Sequence, residues 1–255
     1  MQLQDKTVVV TGAADGIGKG LAERFAKDGA RVVCSDIDLP GASRVASAIG
    51  GHALHCDVSC EDDIQSLIET VESSFGTIDL FCANAGILTL GGVDVSDDDW
   101  DRIWKINVMS HVWTARHLMP RMVARGSGYL LITASAAGLL NQPGAAPYAV
   151  TKHAAVGLAE WLALTYGNQG IKVSVLCPQA VRSLMTRGHE DSVAAIDGML
   201  EPDDVAQACV EAIARERFLV LPHPQVSDYM QLKTSDYDRW ITGMQNLNQR
   251  FTGDS

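Results

Sequence analysis

Seven short apolar runs, each separated from the next by longer amphipathic stretches, constrain this chain more than any other feature of its sequence. Thr7–Val10, Arg31–Cys34, Ala53–Cys56, Leu80–Ala83, Tyr129–Thr133, Val173–Leu176 and Phe218–Leu221 have the length and β-branched content of buried strands. Between them lie helical patterns. After Pro147, residues Val150, Ala154, Gly157, Leu158, Trp161 and Leu162 recur at helical spacing, and Pro202 followed by Asp203 and Asp204 reads as the first turn of another helix. Strand, helix and strand in regular succession require right-handed crossovers, which give a parallel sheet covered on both faces. The expected fold is therefore α/β, a Rossmann-type doubly wound parallel sheet of about seven strands. No low-complexity linker interrupts the alternation over 255 residues, so one domain is expected. Two segments stand outside the pattern: a long loop from Arg182 to Glu201, and the tail after Pro222, whose Tyr229, Met230, Tyr237, Trp240 and Met244 suggest an amphipathic helix.

Charge and apolar content narrow the partners. A formal net charge of -11 leaves no broad positive field to displace the counterions of a phosphate backbone, so nucleic acid is not an expected partner. No apolar run approaches the roughly 20 residues that span a bilayer, and Met1 to Lys6 lacks the pattern of a signal peptide. A cytoplasmic protein without membrane partners is expected. The six cysteines are scattered. Cys56 and Cys60 lie near His52 and His55, but no second close pair completes a four-ligand set, and no metal is expected.

The first strand runs into Thr11-Gly12-Ala13-Ala14-Asp15-Gly16-Ile17-Gly18, which opens a helix carrying Leu21 and Phe25. Glycines there let the backbone turn sharply and approach a pyrophosphate, whose charge the helix N-terminus stabilises. Alone, such a turn can also be a tight corner. Asp36 ends the second strand about 20 residues downstream, where a dinucleotide fold places the acid that holds the adenosine ribose hydroxyls. A carboxylate there repels a 2′-phosphate, and Asp15 and Ile37 offer no basic offset, so NAD is expected in preference to NADP.

Further along stand Asn84-Ala85-Gly86, Asn107, Ser135 and Tyr148-x-x-x-Lys152. With the glycine-rich turn, in this order and spacing, they resemble the classical short-chain dehydrogenase/reductase family over roughly Leu3 to Leu221. The resemblance implies a nicotinamide-dependent oxidoreductase that interconverts an alcohol and a ketone. Tyr148 is then the acid/base, Ser135 orients the substrate oxygen, Lys152 acts on the phenol and holds the nicotinamide ribose, and Asn107 supports a proton relay. It also implies cofactor contacts at Gly12, Asp15, Gly16, Ile17, Gly18, Asp36, Asp57, Val58, Asn84, Ala85, Gly86, Pro178, Val181 and Ser183, and a homodimer or homotetramer. Physical chemistry is consistent with the central pair. Tyr148 and Lys152 are one helical turn apart on one face, and work near neutrality asks a phenol to shift down by roughly 2 to 3 units. Each residue also has an ordinary structural reading, as core, cap or packing residue.

The pattern breaks after the sixth strand. Pro178 is followed by Gln179, where the family usually has a glycine free to adopt positive φ, and the family's hydroxyl role there falls to Ser183 or Thr186. Leu139, Leu140, Leu184, Met185, Met199 and Leu200 are candidate walls of a pocket for a small hydrophobic alcohol or ketone. Two alternatives stand beside this: an NADPH-dependent 3-oxoacyl-carrier reductase, against which Asp36 argues, and a non-catalytic NAD(H)-sensing regulator, which has no need of Ser135, Tyr148 and Lys152 together. Arg116, His117 and the aromatic tail are candidates for a subunit interface.

Overall fold

A computed structural model describes residues 1–252. The seven expected strands form in the expected order. They are β1 (Thr7–Thr11), β2 (Arg31–Asp36), β3 (His52–His55), β4 (Leu80–Ala83), β5 (Gly128–Thr133), β6 (Ile171–Leu176) and β7 (Leu219–Val220). All pair in parallel, in the order β3-β2-β1-β4-β5-β6-β7. Except at β4, strand boundaries differ from the apolar runs by one or two residues because pairing, not hydropathy, ends a strand. β3 begins at His52, a polar residue recruited opposite Val33.

Helices cover both faces. α1 (Gly16–Lys27), α2 (Leu39–Ile49) and α8 (Pro202–Ala214) bury Leu21, Phe25, Val45, Val205 and Ile213 against one face of the sheet. α3 (Glu61–Phe75), α5 (Ser110–Arg125) and α7 (Ala146–Tyr166) cover the other with Ile64, Ile68, Leu118, Met122 and Leu162. A central strand between two such layers must be apolar in both directions, which is why Val8, Val9 and Val10 have no exposed surface at all. α4 (Asp97–Trp104), started by the Ser96 hydroxyl accepting the Asp99 N–H, continues through a π-helical turn, Lys105–Met109, into α5.

Two expectations about helices need correction. In α7 only Leu162 of the stripe singled out by periodicity is fully buried. Ala149, Lys152, Ala155, Val156, Ala159 and Leu162 face the sheet, whereas Val150, Gly157 and Trp161 are exposed. The helix is apolar on both sides, so a 3.6-residue period cannot say which side is inside. The tail after Pro222 holds two helices rather than one, α9 (Gln225–Ser235) and α10 (Tyr237–Thr252); its last three residues lie outside the described residues. The break falls at Asp236, in extended conformation, whose carboxylate caps α10 by accepting the Arg239 N–H. The short α6 (Ala137–Leu140) lies between β5 and α7. No described helix is long and apolar enough to cross a membrane.

Candidate active site

The strand order reverses between β1 and β4, and the two loops leaving their carboxyl ends diverge there, opening the crevice in which doubly wound sheets bind ligands. Glycine is required on both sides of it. Gly12 has φ +66, and a Cβ on it would stand 2.9 Å from the Ala85 Cα; a Cβ on Gly18 would collide with the Gly12 carbonyl. Turn and α1 are thus packed backbone against backbone, leaving the helix N-terminus open toward the crevice. Asn84 ties the floor together: its Nδ2 donates to the Thr11 carbonyl at 3.0 Å, and its Oδ1 accepts the Thr133 hydroxyl at 3.0 Å, joining β1, β4 and β5.

A cleft of about 500 Å³ runs along this edge. Gly12, Asp15, Gly16, Ile17, Gly18, Asp36, Asp57, Val58, Asn84, Ala85, Gly86, Ser135, Tyr148, Lys152, Pro178, Val181 and Ser183 all line it, so the structure brings together every expected site residue except Asn107. Asp36 sits at one end, its carboxylate accepting the N–H groups of Ala14 and Asp38 at 3.0 and 2.9 Å. Asp57 is held by Ser59, whose N–H and hydroxyl both donate to it.

At the other end Tyr148, half-buried, rises from the first turn of α7, and Lys152 follows one turn later with 3% of its surface exposed. The Lys152 ammonium donates to the Thr133 carbonyl at 3.0 Å and stands 5.6 Å from the centre of the Tyr148 ring. Burial pushes its pKa down to about 8. Burial also pushes the Tyr148 phenol up, with the Ser135 hydroxyl pulling the other way. The shift asked of the phenol for work near neutrality therefore runs opposite to what this environment gives it: Lys152 addresses the ring face, and desolvation of a phenolate outweighs one hydrogen bond. Ser135 lies two residues beyond β5; its hydroxyl donates to the Pro178 carbonyl at 3.3 Å and accepts the Ala137 N–H at 3.1 Å.

Asn107 lies just behind the cleft, fully buried in the π-helical turn. Its amide exchanges two 2.9 Å hydrogen bonds with the backbone of Ile87 and donates to the Thr151 hydroxyl, and a Cβ on Gly86 would meet both Asn107 Oδ1 and Lys152 Nζ within 3.4 Å. A helix that widens for one turn at this spot aims that amide across to the loop after β4. Sequence reading missed His111, buried in the next turn with neither ring nitrogen hydrogen-bonded, its pKa pushed down to about 3 by burial and the Lys152 charge. An isolated histidine in an amphipathic helix carries no signal that would reveal this.

Gln179 proves compatible with its position because its φ is not positive. Its N–H donates to His223 Nδ1, and its Nε2 donates to Asp197, which also accepts the Tyr229 hydroxyl. Ser183 packs against Gly16, and Leu184 donates its N–H to the Asp15 carboxylate, so the loop after β6 lies over the glycine-rich turn. The Thr186 hydroxyl is taken by the Val181 carbonyl.

A second cavity, of about 400 Å³, adjoins the cleft; Ser135, Gln142 and Gln179 line both. Of the six apolar residues expected to wall a substrate pocket, only Leu140 does so here. Leu184 and Met185 face the cofactor cleft, Leu139 packs toward Val226, Leu200 bridges to Val181 and joins the core, and Met199 lines neither space. The missing walls come from Ile196 and from the tail helices, through Tyr229, Leu232, Trp240, Met244 and Leu247. Arg116 and His117, offered as interface residues, both bind Glu61 of α3 within the chain.

Comparison with known families matches residues 6–194 to the short chain dehydrogenase model. The chain belongs to the short-chain dehydrogenase/reductase family. It is similar to the oxidoreductase UcpA of Escherichia coli K12, at 34% identity over 96% of this chain and 94% of the relative. It is also similar to 1-deoxy-11-beta-hydroxypentalenate dehydrogenase of Streptomyces exfoliatus, at 35% identity over 86% of this chain and 83% of the relative. Among solved structures, a short-chain dehydrogenase/reductase from Burkholderia phymatum in complex with NAD superimposes with a TM-score of 0.87 at 29% identity, covering 93% of this chain and 96% of that one. This short-chain dehydrogenase/reductase is thus an oxidoreductase with the Rossmann-like sheet of its relatives.

Proposed function

We propose that the protein transfers a hydride between NAD(H) and a hydrophobic secondary alcohol or ketone, with Tyr148 as acid/base. The observation that carries this is continuity: one cleft has Asp36 at one end and Ser135, Tyr148 and Lys152 at the other, and it opens at Ser135 into an apolar chamber. The residues fit a dinucleotide. Gly12 and Gly16, both at positive φ, clear the approach to the N-terminus of α1, and Lys152 spends only one donated hydrogen bond on Thr133, leaving donors for ribose hydroxyls. Asp36 faces the turn at the adenosine end, where its charge favours NAD over NADP. The relatives support this reading, since one is named a hydroxypentalenate dehydrogenase and a structural neighbour was solved in complex with NAD.

The bound nicotinamide supplies the hydride acceptor or donor. Ser135 donates to the substrate oxygen and fixes it beside the Tyr148 hydroxyl, which takes the proton in oxidation and returns it in reduction. Lys152 then passes protons toward solvent with Asn107 holding the relay. Because the base must be deprotonated, alcohol oxidation rises with pH and ketone reduction falls, each tenfold per unit on its sloping limb. The direct test incubates the protein with NAD⁺ or NADP⁺ and a panel of cyclic and bicyclic secondary alcohols while following reduced nicotinamide. NADH binding without turnover on any alcohol would sink the catalytic reading. Replacing Asp36 with alanine is expected to lower kcat/KM for NAD⁺ by roughly 10- to 100-fold, the loss of two charge-assisted hydrogen bonds, and to narrow the gap to NADP⁺. An unchanged cofactor ratio would remove Asp36 from that role.

The exposed stripe of α7 also supports a homo-oligomer. Val150, Trp161 and Leu164 are 48%, 56% and 83% exposed, and nothing lies within 4 Å of a Cβ on Gly157, so a second helix has room for close approach there. Trp161→Glu is expected to shift the protein to monomer in analytical ultracentrifugation; an unchanged sedimentation coefficient would place the interface elsewhere.

A further inference from the structure

We propose that the substrate carries a carboxylate remote from its reacting carbon, and that Arg239 at the mouth of the apolar chamber selects it. The inference rests on the catalytic reading above and concerns only the far end of the same site.

The chamber has two chemically different ends. Ser135 and Gln179 stand where it meets the cofactor cleft. Ser235 and Arg239, from the junction of α9 and α10, stand on the wall that the tail contributes. The rest of the lining is mainly apolar, with Leu140, Ile196, Trp240 and Met244, beside Asn141, Gln142 and Tyr229. Arg239 is the one charged residue on this wall. Arg239 is exposed, and its guanidinium makes no hydrogen bond or ion pair among the described residues. Two carboxylates of the same region have hydrogen-bond partners of their own. Asp236 accepts the Arg239 backbone N–H as the cap of α10, and both Asp197 oxygens are taken, one by Tyr229 and one by Gln179.

A free guanidinium on a mainly apolar wall offers planar, two-pronged donation that matches a carboxylate. In a chain of net charge -11, most of the surface repels an anion, so a single cation at the chamber mouth discriminates by contrast. A cavity of about 400 Å³ takes a small ring system. The inferred substrate is an alicyclic hydroxy acid, or the corresponding keto acid, with its two polar groups at opposite ends.

The test uses 4-hydroxycyclohexanecarboxylate and 4-hydroxyadamantane-1-carboxylate, each beside its methyl ester, with the wild type, Arg239→Met and Arg239→Lys. Wild type is expected to prefer acid over ester in kcat/KM by roughly tenfold or more, the scale of one charge-assisted pair at a partly solvated site. Arg239→Met is expected to collapse that ratio to about one, mainly through KM, and Arg239→Lys to keep part of it. An ester used as well as the acid, or a ratio that Arg239→Met leaves unchanged, overturns the inference while the alcohol dehydrogenase reading stands. If neither acid nor ester is turned over, calorimetry with 4-oxoadamantane-1-carboxylate and NADH-saturated protein decides. Binding lost in Arg239→Met upholds the carboxylate site, with the catalytic reading left to the alcohol panel; binding absent, or indifferent to Arg239, overturns the site.

Discussion

Replacing Tyr148 with phenylalanine is expected to lower turnover of a secondary alcohol about a thousandfold, within the range attributed to general acid–base catalysis. The change removes one hydroxyl from a ring that keeps its place at the start of α7, so the fold loses little. NADH binding, followed by fluorescence, is expected to persist, because Asp36, the glycine-rich turn and Lys152 remain in the cleft. The pH dependence carries a second part of the same expectation. In the free protein burial holds the phenol above its ordinary value, so a spectroscopic tyrosine titration without cofactor should place it high. The limb of the oxidation profile at saturating NAD⁺ should lie lower, since a positive nicotinamide beside the phenol favours the phenolate. Residual turnover in Tyr148→Phe within tenfold of wild type would mean that another group moves the proton.

Lys152→Met is expected to abolish activity and yet make the protein more stable. An ordinary lysine holds its proton to about 10.5, while Lys152 in the fold holds it only to about 8. Between those values the unfolded chain binds a proton that the folded chain releases. Stability therefore falls as pH drops from about 10.5 to about 8, and the penalty is fully present at neutrality. A shift of this size corresponds to about 3 kcal/mol at most, less what the Thr133 hydrogen bond returns. Methionine occupies a similar volume without the charge. The expected gain is about 1 to 3 kcal/mol, or a rise in Tm of a few degrees for a chain of this size, with the advantage shrinking above pH 8. Calorimetric melts at pH 7 and pH 10 check it; a Tm that falls at both would show that the ammonium's hydrogen bond outweighs its desolvation.

The fold was legible because doubly wound sheets advertise themselves twice, by apolar runs of strand length and by the spacing between them. Leu80–Ala83 was recoverable to the residue, whereas β3 was shifted by one, since His52 joins it by pairing with β2 rather than by hydropathy and Cys56 falls outside it. The face of α7 was misjudged for a different reason: Trp161 and Val150 belong to an apolar stripe that the single chain leaves open. The cleft was legible because glycine at a tight turn, an acid at a strand end and a Tyr–Lys pair one turn apart each have a local reason to be where they are. The chamber was not. Its walls come from Leu140, Ile196 and the tail, brought together from segments nearly 100 residues apart by loops that follow no period. Asp236 before Tyr237 is a helix-capping signal, and reading it would have divided the tail correctly.

The last helix touches the rest of the molecule chiefly through α9 and, among the described residues, contributes none that is fully buried, yet it supplies Arg239, Trp240, Met244 and Leu247 to the chamber. Selectivity and foldability are therefore written in separable parts of the gene product. Residues of α10 can drift with little stability penalty, and each change retunes what enters without disturbing the sheet or the Tyr–Lys pair. A scaffold so divided can acquire new substrates by exchanging its final thirty residues or so, keeping the hydride chemistry unchanged.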